Sequence, residues 1–326
     1  MKHCAILAAA LALAAALALA APAAAETWDM PTPYGDSVFH TQNVMQFAED
    51  VSAATDGALE ITIHSAGSLF PHDEIKNAVR AQQVPIGEFL MSRLSNEDAA
   101  YGVDSHPFLA TSYEEARRLW EAQKPVVTEM LAEQGLVPLF AVAWPPQGLY
   151  TEQEITSVDQ LNGLRFRAYN AQMEEFAALA GAAPVQVEAA DIPQAFATGQ
   201  VEAMMTSSST GVNSSAWDFL THYATIDAWV PKNLVVVNQR VFDGLDPAVQ
   251  QAVMDAAAAA ETRGWEMSMA EAEAQTQALA DNGITVYAPS DDLRAGLRDI
   301  GERMLETFQA SASENAKAIV AAFRGE

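Results

Sequence analysis

Cysteine is almost absent from this chain of 326 residues: the one cysteine, Cys4, lies at its very start. Once residues 1–25 are removed, no disulfide, thiolate nucleophile or cysteine-bound metal can be built. Cations are scarce too, 17 Lys and Arg against 43 Asp and Glu, for a formal net charge of −26. A chain so acidic lacks the basic patch that nucleic acid or an anionic lipid surface requires. None of His40, His64, His72, His106 and His222 sits in an H-x-x-x-H or H-x-E arrangement with a plausible metal partner, so no metal and no cofactor is expected. No G-x-S-x-G elbow, G-x-G-x-x-G turn or P-loop occurs, and beyond residue 25 no apolar run is long enough to span a bilayer.

What is present begins with a leader. Lys2 and His3 precede an Ala/Leu run from Ala5 to Ala21, then Pro22 and Ala23 to Ala25 before Glu26. Residues 1–25 read as a secretory signal peptide cut after Ala25. Cys4 precedes the apolar run, whereas a lipid-modified cysteine follows it. An exported, disulfide-free chain of this size fits the bacterial periplasm, and it is long enough for two domains with separate cores. Solubility in a saline habitat accounts for the acidity. Surface charge still leaves room for an anionic ligand, because an arginine in a low-dielectric cleft outweighs remote, screened charges.

From Trp28 onward short strands alternate with amphipathic helices, the pattern of an α/β protein. Helices are predicted over 39–54, around 74–82, and over 112–134, 171–181 and 191–198. Strands are predicted at 59–63, 86–91, 137–144, 164–168, 185–187, 201–206, 233–238 and 284–287, with two helices after Pro289. Asp246-Pro247 has the chemistry of a helix start. No proline interrupts the chain from there to Asn282, which predicts a helix of roughly 50 Å. Such a helix must lie across two lobes or break near Gly264.

Arg165 and Arg167 fall on one face of the predicted strand 164–168, since side chains alternate with period two. Arg167 is a fork-shaped cation in an apolar strand, and it needs an anion: a ligand carboxylate, or an internal acid such as Asp191 or Glu202. Thr206, Ser207 and Ser208 follow an apolar strand at its C-terminal end, where α/β proteins place ligands. Their hydroxyls suit a carboxylate or, equally, an ordinary helix cap. Trp144, Gln147 and Tyr150 flank the stiff Pro145-Pro146 crossing and offer stacking and hydrogen bonds, or simply core aromatics around a turn. Trp229, before Pro231, is open in the same way. Phe89, Ser92 and Tyr34 complete the candidate ligand-binding set.

The order of these motifs resembles that of the solute-binding proteins of tripartite ATP-independent periplasmic (TRAP) transporters, the DctP family. The resemblance runs through Thr55-Asp-Gly-Ala-Leu-Glu-Ile-Thr-Ile63, Ala66-Gly-Ser-Leu69, Pro107-Phe-Leu109 and Asp159-Gln-Leu-Asn-Gly-Leu-Arg-Phe-Arg167. It continues in Gly181-Ala-Ala-Pro-Val185, Asp191-Ile-Pro-Gln-Ala-Phe-Ala-Thr-Gly199 and Val201-Glu202. It implies a two-lobed, type II-like periplasmic binding fold with a lobe-spanning helix. One lobe would comprise 26–147 plus about 233–265, the other 148–232 plus about 266–326. It also implies an organic acid as ligand, membrane permease subunits as partners and no enzymatic activity. Arg167 matches the family's carboxylate-gripping arginine, and Arg165 a position that is often a structural lysine.

Two departures bear on the ligand. Many sialic-acid and C4-dicarboxylate relatives carry a second arginine just after the strand equivalent to 137–144, where this chain reads Pro-Gln-Gly-Leu-Tyr150. The usual Gly-Gln-Glu-Asn-Pro after the acidic residue is replaced by Ala203-Met-Met-Thr-Ser-Ser208. With fewer charges, a monocarboxylate with an aromatic or apolar body suits Trp144, Phe89 and Trp229 better than a dicarboxylate. The competing readings are a C4-dicarboxylate or sugar-acid receptor of the same family, and an exported enzyme using the hydroxyls from Thr206 to Thr210.

Overall fold

The computed structural model describes residues 25–326, so the expected signal peptide, all but its last residue, lies outside the described residues. Strands β1 (Glu26–Pro31) and β2 (Leu59–His64) pair in parallel, joined by helix α1 (Phe39–Ala54). Val44, Phe47, Ala48 and Val51 bury the inner stripe of α1, as the helical period requires. After α2 (Ile75–Arg80) and β3 (Ile86–Leu90), two 3₁₀ segments, Met91–Asn96 and Ala99–Ser105, lead to α3 (Tyr113–Ala132) and β4 (Leu136–Ala143). Ser112 caps α3 by accepting from the Glu115 amide at 3.2 Å.

The chain then crosses to a second sheet through β5 (Gln147–Thr151), β6 (Arg165–Ala168), α4 (Ala171–Leu179), β7 (Ala183–Gln186), α5 (Ile192–Ala197), β8 (Ala203–Ser207), α6 (Ser208–Asn213) and β9 (His222–Ala224). It returns through β10 (Lys232–Asn238) and α7 (Gln239–Asp243), enters α8 (Pro247–Asp281), and ends with β11 (Thr285–Tyr287), α9 (Asp291–Ser311) and α10 (Glu314–Arg324). β10 lies between β3 and β4, antiparallel to both, and β11-β9-β5-β8-β6-β7 form the second, six-stranded sheet. The β1-β2 pair, the three-stranded sheet and the six-stranded sheet, with their helices, make up a two-lobed fold. Strands β1, β5 and β9 were not anticipated: β1 begins where the leader was expected to end, and β5 follows two prolines that read as a turn.

Helix α8 does not break. Asp246 caps it by accepting from the Ala248 amide at 2.8 Å, Pro247 opens its first turn, and it continues for 35 residues, about 52 Å. It packs on α1 and β4 of one lobe and on α6 and β11 of the other. Gly264 is therefore not a hinge. A Cβ there would lie 2.4 Å from Val142 Cγ2 and 2.7 Å from Asn43 Nδ2, so glycine lets the helix press onto β4. The next residue, Trp265, donates its indole N–H to the Ala141 carbonyl at 3.0 Å. The last helix, α10, packs on α3 and the 3₁₀ segment Ala99–Ser105.

Candidate functional site

A cleft of about 420 Å³, part of it open to solvent, lies where the two sheets face each other. Its walls come from the C-terminal ends of β3, β4, β6, β7 and β8 and the N-terminal ends of β5 and β10. Of the residues proposed from sequence, Tyr34, Trp144, Gln147, Arg167, Thr206 and Ser207 line it. Thr210, the end of the hydroxyl run, lines it too, as do His72, Leu90, Arg93, Tyr169 and Glu188, which were not anticipated.

Arg167 is 3% exposed. Its Nε donates to the Val187 carbonyl at 3.0 Å, and its guanidinium carbon sits 5.1 Å from the centroid of the Tyr169 ring. Among the described residues no carboxylate lies within ion-pair distance of it. Burial lowers its ionisation to about 10, so it remains charged at neutral pH. Glu202, weighed as an internal partner, belongs to Arg165 instead: Nη2 to Oε1 is 3.0 Å, and the Arg165 amide donates to Oε2 at 3.0 Å. The two arginines share a strand face but not an environment, because Arg165 stands at the solvent end of β6 and Arg167 at the cleft end.

A second arginine is present, contrary to expectation, and arrives from another element. Arg93, in the 3₁₀ turn after β3, reaches across the cleft to Glu188 Oε1 at 2.8 Å and donates to the Tyr169 carbonyl at 3.0 Å. His72 Nδ1 approaches the other Glu188 oxygen at 3.4 Å. Its Nε2 accepts from the Leu90 amide at 3.0 Å, which places the ring proton on Nδ1. Burial lowers the His72 ionisation, so the ring is neutral at pH 7. Burial tends to raise the Glu188 carboxyl, but the bond from His72 and the charge of Arg93 hold it below the ordinary range. With Arg93 balanced by Glu188, the cleft keeps one positive charge, that of Arg167.

The remaining polar groups are arranged around this charge. Ser207 caps α6: its Oγ accepts from the Thr210 amide at 3.0 Å. The serine run thus does make a helix cap, while Thr206 and Ser207 still face the cleft. Gln147 donates to the Pro145 carbonyl at 2.7 Å and accepts from Tyr169 Oη at 3.3 Å, and that oxygen accepts from Trp229 Nε1 at 3.1 Å. Both ends of the Gln147 amide are therefore engaged within the protein.

Five of the sequence candidates lie behind or beside the cleft. Trp229 is buried behind Tyr169. Phe89 is on the opposite strand face from cleft-lining Leu90, packed into the core that contains Met91, Tyr101 and Trp265. Tyr150 is buried in β5 against Tyr223 and donates to the Ser207 carbonyl at 3.0 Å. Ser208 points to α8, donating to the Ala272 carbonyl at 3.4 Å. Ser92 accepts from Asn170 Nδ2 at 2.8 Å, a bond between the lobes. No group of three His, Cys, Asp or Glu among the described residues is placed to hold a metal, and no described helix is long and apolar enough to cross a membrane.

Two lobes meeting over a cleft with a single unbalanced guanidinium have the build of a solute receptor. The model of the bacterial extracellular solute-binding proteins, family 7 (DctP), matches residues 34–312, and the chain belongs to this family, the solute receptors of TRAP transporters. It is similar to two extracytoplasmic solute receptors of Bordetella pertussis, DctP6 and DctP7, each binding pyroglutamic acid. Each is 41% identical, with TM-scores of 0.90 and 0.91 over 92% of this chain and 100% of theirs. A marine metagenome TRAP solute-binding protein specific for pyroglutamate, in complex with co-purified pyroglutamate, is 40% identical. Its TM-score is 0.90 over 93% of this chain and 99% of that one.

Proposed function

We propose that this protein is the periplasmic receptor of a TRAP transporter that captures pyroglutamate, a cyclic monocarboxylate, and passes it to membrane permease subunits. The observation that carries this reading is Arg167, a buried guanidinium facing the cleft with its fork free of protein carboxylates. A ligand carboxylate supplies the missing anion through two parallel charge-assisted bonds. Thr206 Oγ1, at the end of β8, adds a hydroxyl on the same wall. Relatives at 40–41% identity whose names specify pyroglutamate support the choice among monocarboxylates.

Capture ends in closure. The contacts of Arg93 and His72 with Glu188, of Ser92 with Asn170, and of Ser95 Oγ with Gln172 Oε1 at 3.1 Å all join the two lobes. A ligand that contacts both walls favours the closed form by its differential affinity for the two states. For the lobes we propose residues 26–147 with about 233–265, and 148–232 with about 266 onward; α10, packed on α3, sits with the first. The protein acts by binding and release rather than turnover. Ser207 and Ser208 are committed to the α6 cap and the Ala272 carbonyl, and neither has a histidine partner.

Calorimetry on ligand-stripped protein tests the reading, with pyroglutamate, succinate and glucuronate titrated separately. One-to-one binding of pyroglutamate with little or no heat from the others is expected. Preference for the dicarboxylate or the sugar acid would overturn the assignment, and conversion of pyroglutamate during the titration would make the protein an enzyme.

A further inference from the structure

Behind the wall of the first lobe lies a buried carboxylate that capture of an acid does not itself require. Glu88, in the middle of β3, is 2% exposed. Thr32 Oγ1 donates to its Oε2 at 2.5 Å, and Asn233 Nδ2 on β10 donates to its Oε1 at 3.0 Å. The other end of the Asn233 amide serves the cleft: its Oδ1 accepts from Trp144 Nε1 at 2.9 Å and from Tyr34 Oη at 3.2 Å. Tyr34 and Trp144 both line the cavity.

The direction of this relay is fixed from both ends. A carboxylate only accepts and an indole nitrogen only donates. Glu88 therefore demands the amide nitrogen of Asn233 on its side, Trp144 demands the amide oxygen on the other, and the two demands agree. Asn233 cannot flip, so the Tyr34 hydroxyl must direct its proton at Asn233 Oδ1. Only lone pairs of Tyr34 Oη are left for the cleft. A glutamine at 88 would leave Trp144 alone to orient the Asn233 amide; an ionised glutamate fixes it from the other end as well. Burial tends to raise the Glu88 carboxyl, but the His40 ring beside it, Nδ1 at 3.5 Å from Oε1, and the hydrogen bonds from Thr32 and Asn233 hold it below the ordinary range, so it is charged at neutral pH.

We infer that Glu88 and Asn233 are positioning residues that make Tyr34 a hydrogen-bond acceptor toward the cleft, so that the receptor selects an acid whose ring carries an N–H. The inference rests on the pyroglutamate reading above and deepens it. Donors, Arg167 and Thr206, stand on the second lobe for the carboxylate. An obligate acceptor stands on the first for the ring nitrogen, while both oxygens of Glu188 are occupied by Arg93 and His72. The corresponding lactone has nearly the same shape, but its ring oxygen would set lone pairs against the lone pairs of Tyr34. Loss of one buried hydrogen bond, with its acceptor left unmatched, amounts to about 10- to 100-fold in affinity.

The test is calorimetry with pyroglutamate and its lactone counterpart, 5-oxotetrahydrofuran-2-carboxylate, on ligand-stripped protein. Wild type should prefer the lactam by about 10- to 100-fold. In Asn233→Leu the Tyr34 proton is free to turn into the cleft, and the preference should shrink to about threefold or less. Tyr34→Phe, which removes the acceptor and keeps the ring, should do the same and serves if Asn233→Leu does not fold. The exchange Glu88→Gln with Asn233→Asp keeps the direction of the relay, since an amide at 88 then donates to a carboxylate at 233, and should restore the preference. A purely structural role would weaken both ligands alike and leave their ratio unchanged, which would overturn the inference. Wild type binding both acids equally would overturn it and leave the monocarboxylate reading standing; wild type binding neither would overturn both.

Discussion

Replacing Arg167 by methionine distinguishes an arginine kept for a ligand from one kept for the fold, because the two roles predict opposite signs of stability change. Burial lowers the guanidinium from its ordinary value to about 10. At 1.36 kcal/mol per pH unit this corresponds to a net of about 3 kcal/mol against the charged form in the ligand-free protein. Two contacts offset it: the bond from Nε to the Val187 carbonyl, worth about 1.5 kcal/mol, and the Tyr169 ring, worth about 1 kcal/mol. Arg167→Met should therefore leave the ligand-free protein as stable as wild type to within about 1 kcal/mol, or slightly more stable. An arginine paired with an internal acid would instead cost about 3–5 kcal/mol on removal. Binding should move the other way, losing about 3–5 kcal/mol, or about 10²- to 10⁴-fold, because the ligand carboxylate loses its partner. The assay is urea unfolding followed by tryptophan fluorescence after the ligand has been stripped, with calorimetry on the same samples. A variant destabilised by more than about 3 kcal/mol that still bound the acid with unchanged affinity would refute the reasoning.

Three further outcomes follow from the same structure. Gly264→Ala improves helix propensity by about 1 kcal/mol, yet its Cβ meets Val142 at 2.4 Å. The variant should lose about 1–3 kcal/mol in urea unfolding, and Val142→Ala should recover part of that loss; a net gain would contradict the packing. Glu188→Gln removes the charge that balances Arg93, so succinate should gain about tenfold in a titration while pyroglutamate changes less; no gain would place the second charge elsewhere. His106 is buried with neither ring nitrogen bonded, and burial lowers its ionisation to about 4. Its folded value lies below the unfolded 6.5, so the stability of the neutral form is complete above that pH and is lost as the pH falls toward 4. About 2 kcal/mol should disappear by pH 5. His40 and His72, also lowered by burial, act in the same direction. His106→Phe should flatten the decline in urea midpoint between pH 7 and pH 5, and an unchanged slope would contradict the assignment.

The helices and the central strands were legible because their apolar periods are strong, and α8 because Asp246-Pro247 opens it and nothing in the next 35 residues stops it. Within the site, Arg167 was legible for the opposite reason, as a cation where the pattern calls for an apolar residue. Thr206 and Ser207 came from the rule that ligands gather at strand C-termini. Applied to every strand, that rule also reaches Leu90 and Arg93 after β3, Tyr169 after β6 and Glu188 after β7. What no local pattern carries is the pairing of Arg93 with Glu188, 95 residues apart and following strands of different sheets. That pairing decides that the cleft has one net charge rather than two. Phe89 and Trp229 misled because aromatic chemistry near a cleft says nothing about which strand face or which layer the ring occupies. The Glu88–Asn233 relay was invisible for the same reason: each residue is unremarkable in its own strand, and only the antiparallel pairing of β3 with β10 brings them together.

A crystal structure of the ligand-stripped protein reloaded with pyroglutamate tests the central claim most directly. The account predicts the carboxylate on the terminal nitrogens of Arg167, at about 2.7–2.9 Å, with the ring N–H toward Tyr34 Oη and the Arg93–Glu188 pair intact. A carboxylate seated on Arg93, or a ligand bound with Arg167 still lacking an anion, would contradict it.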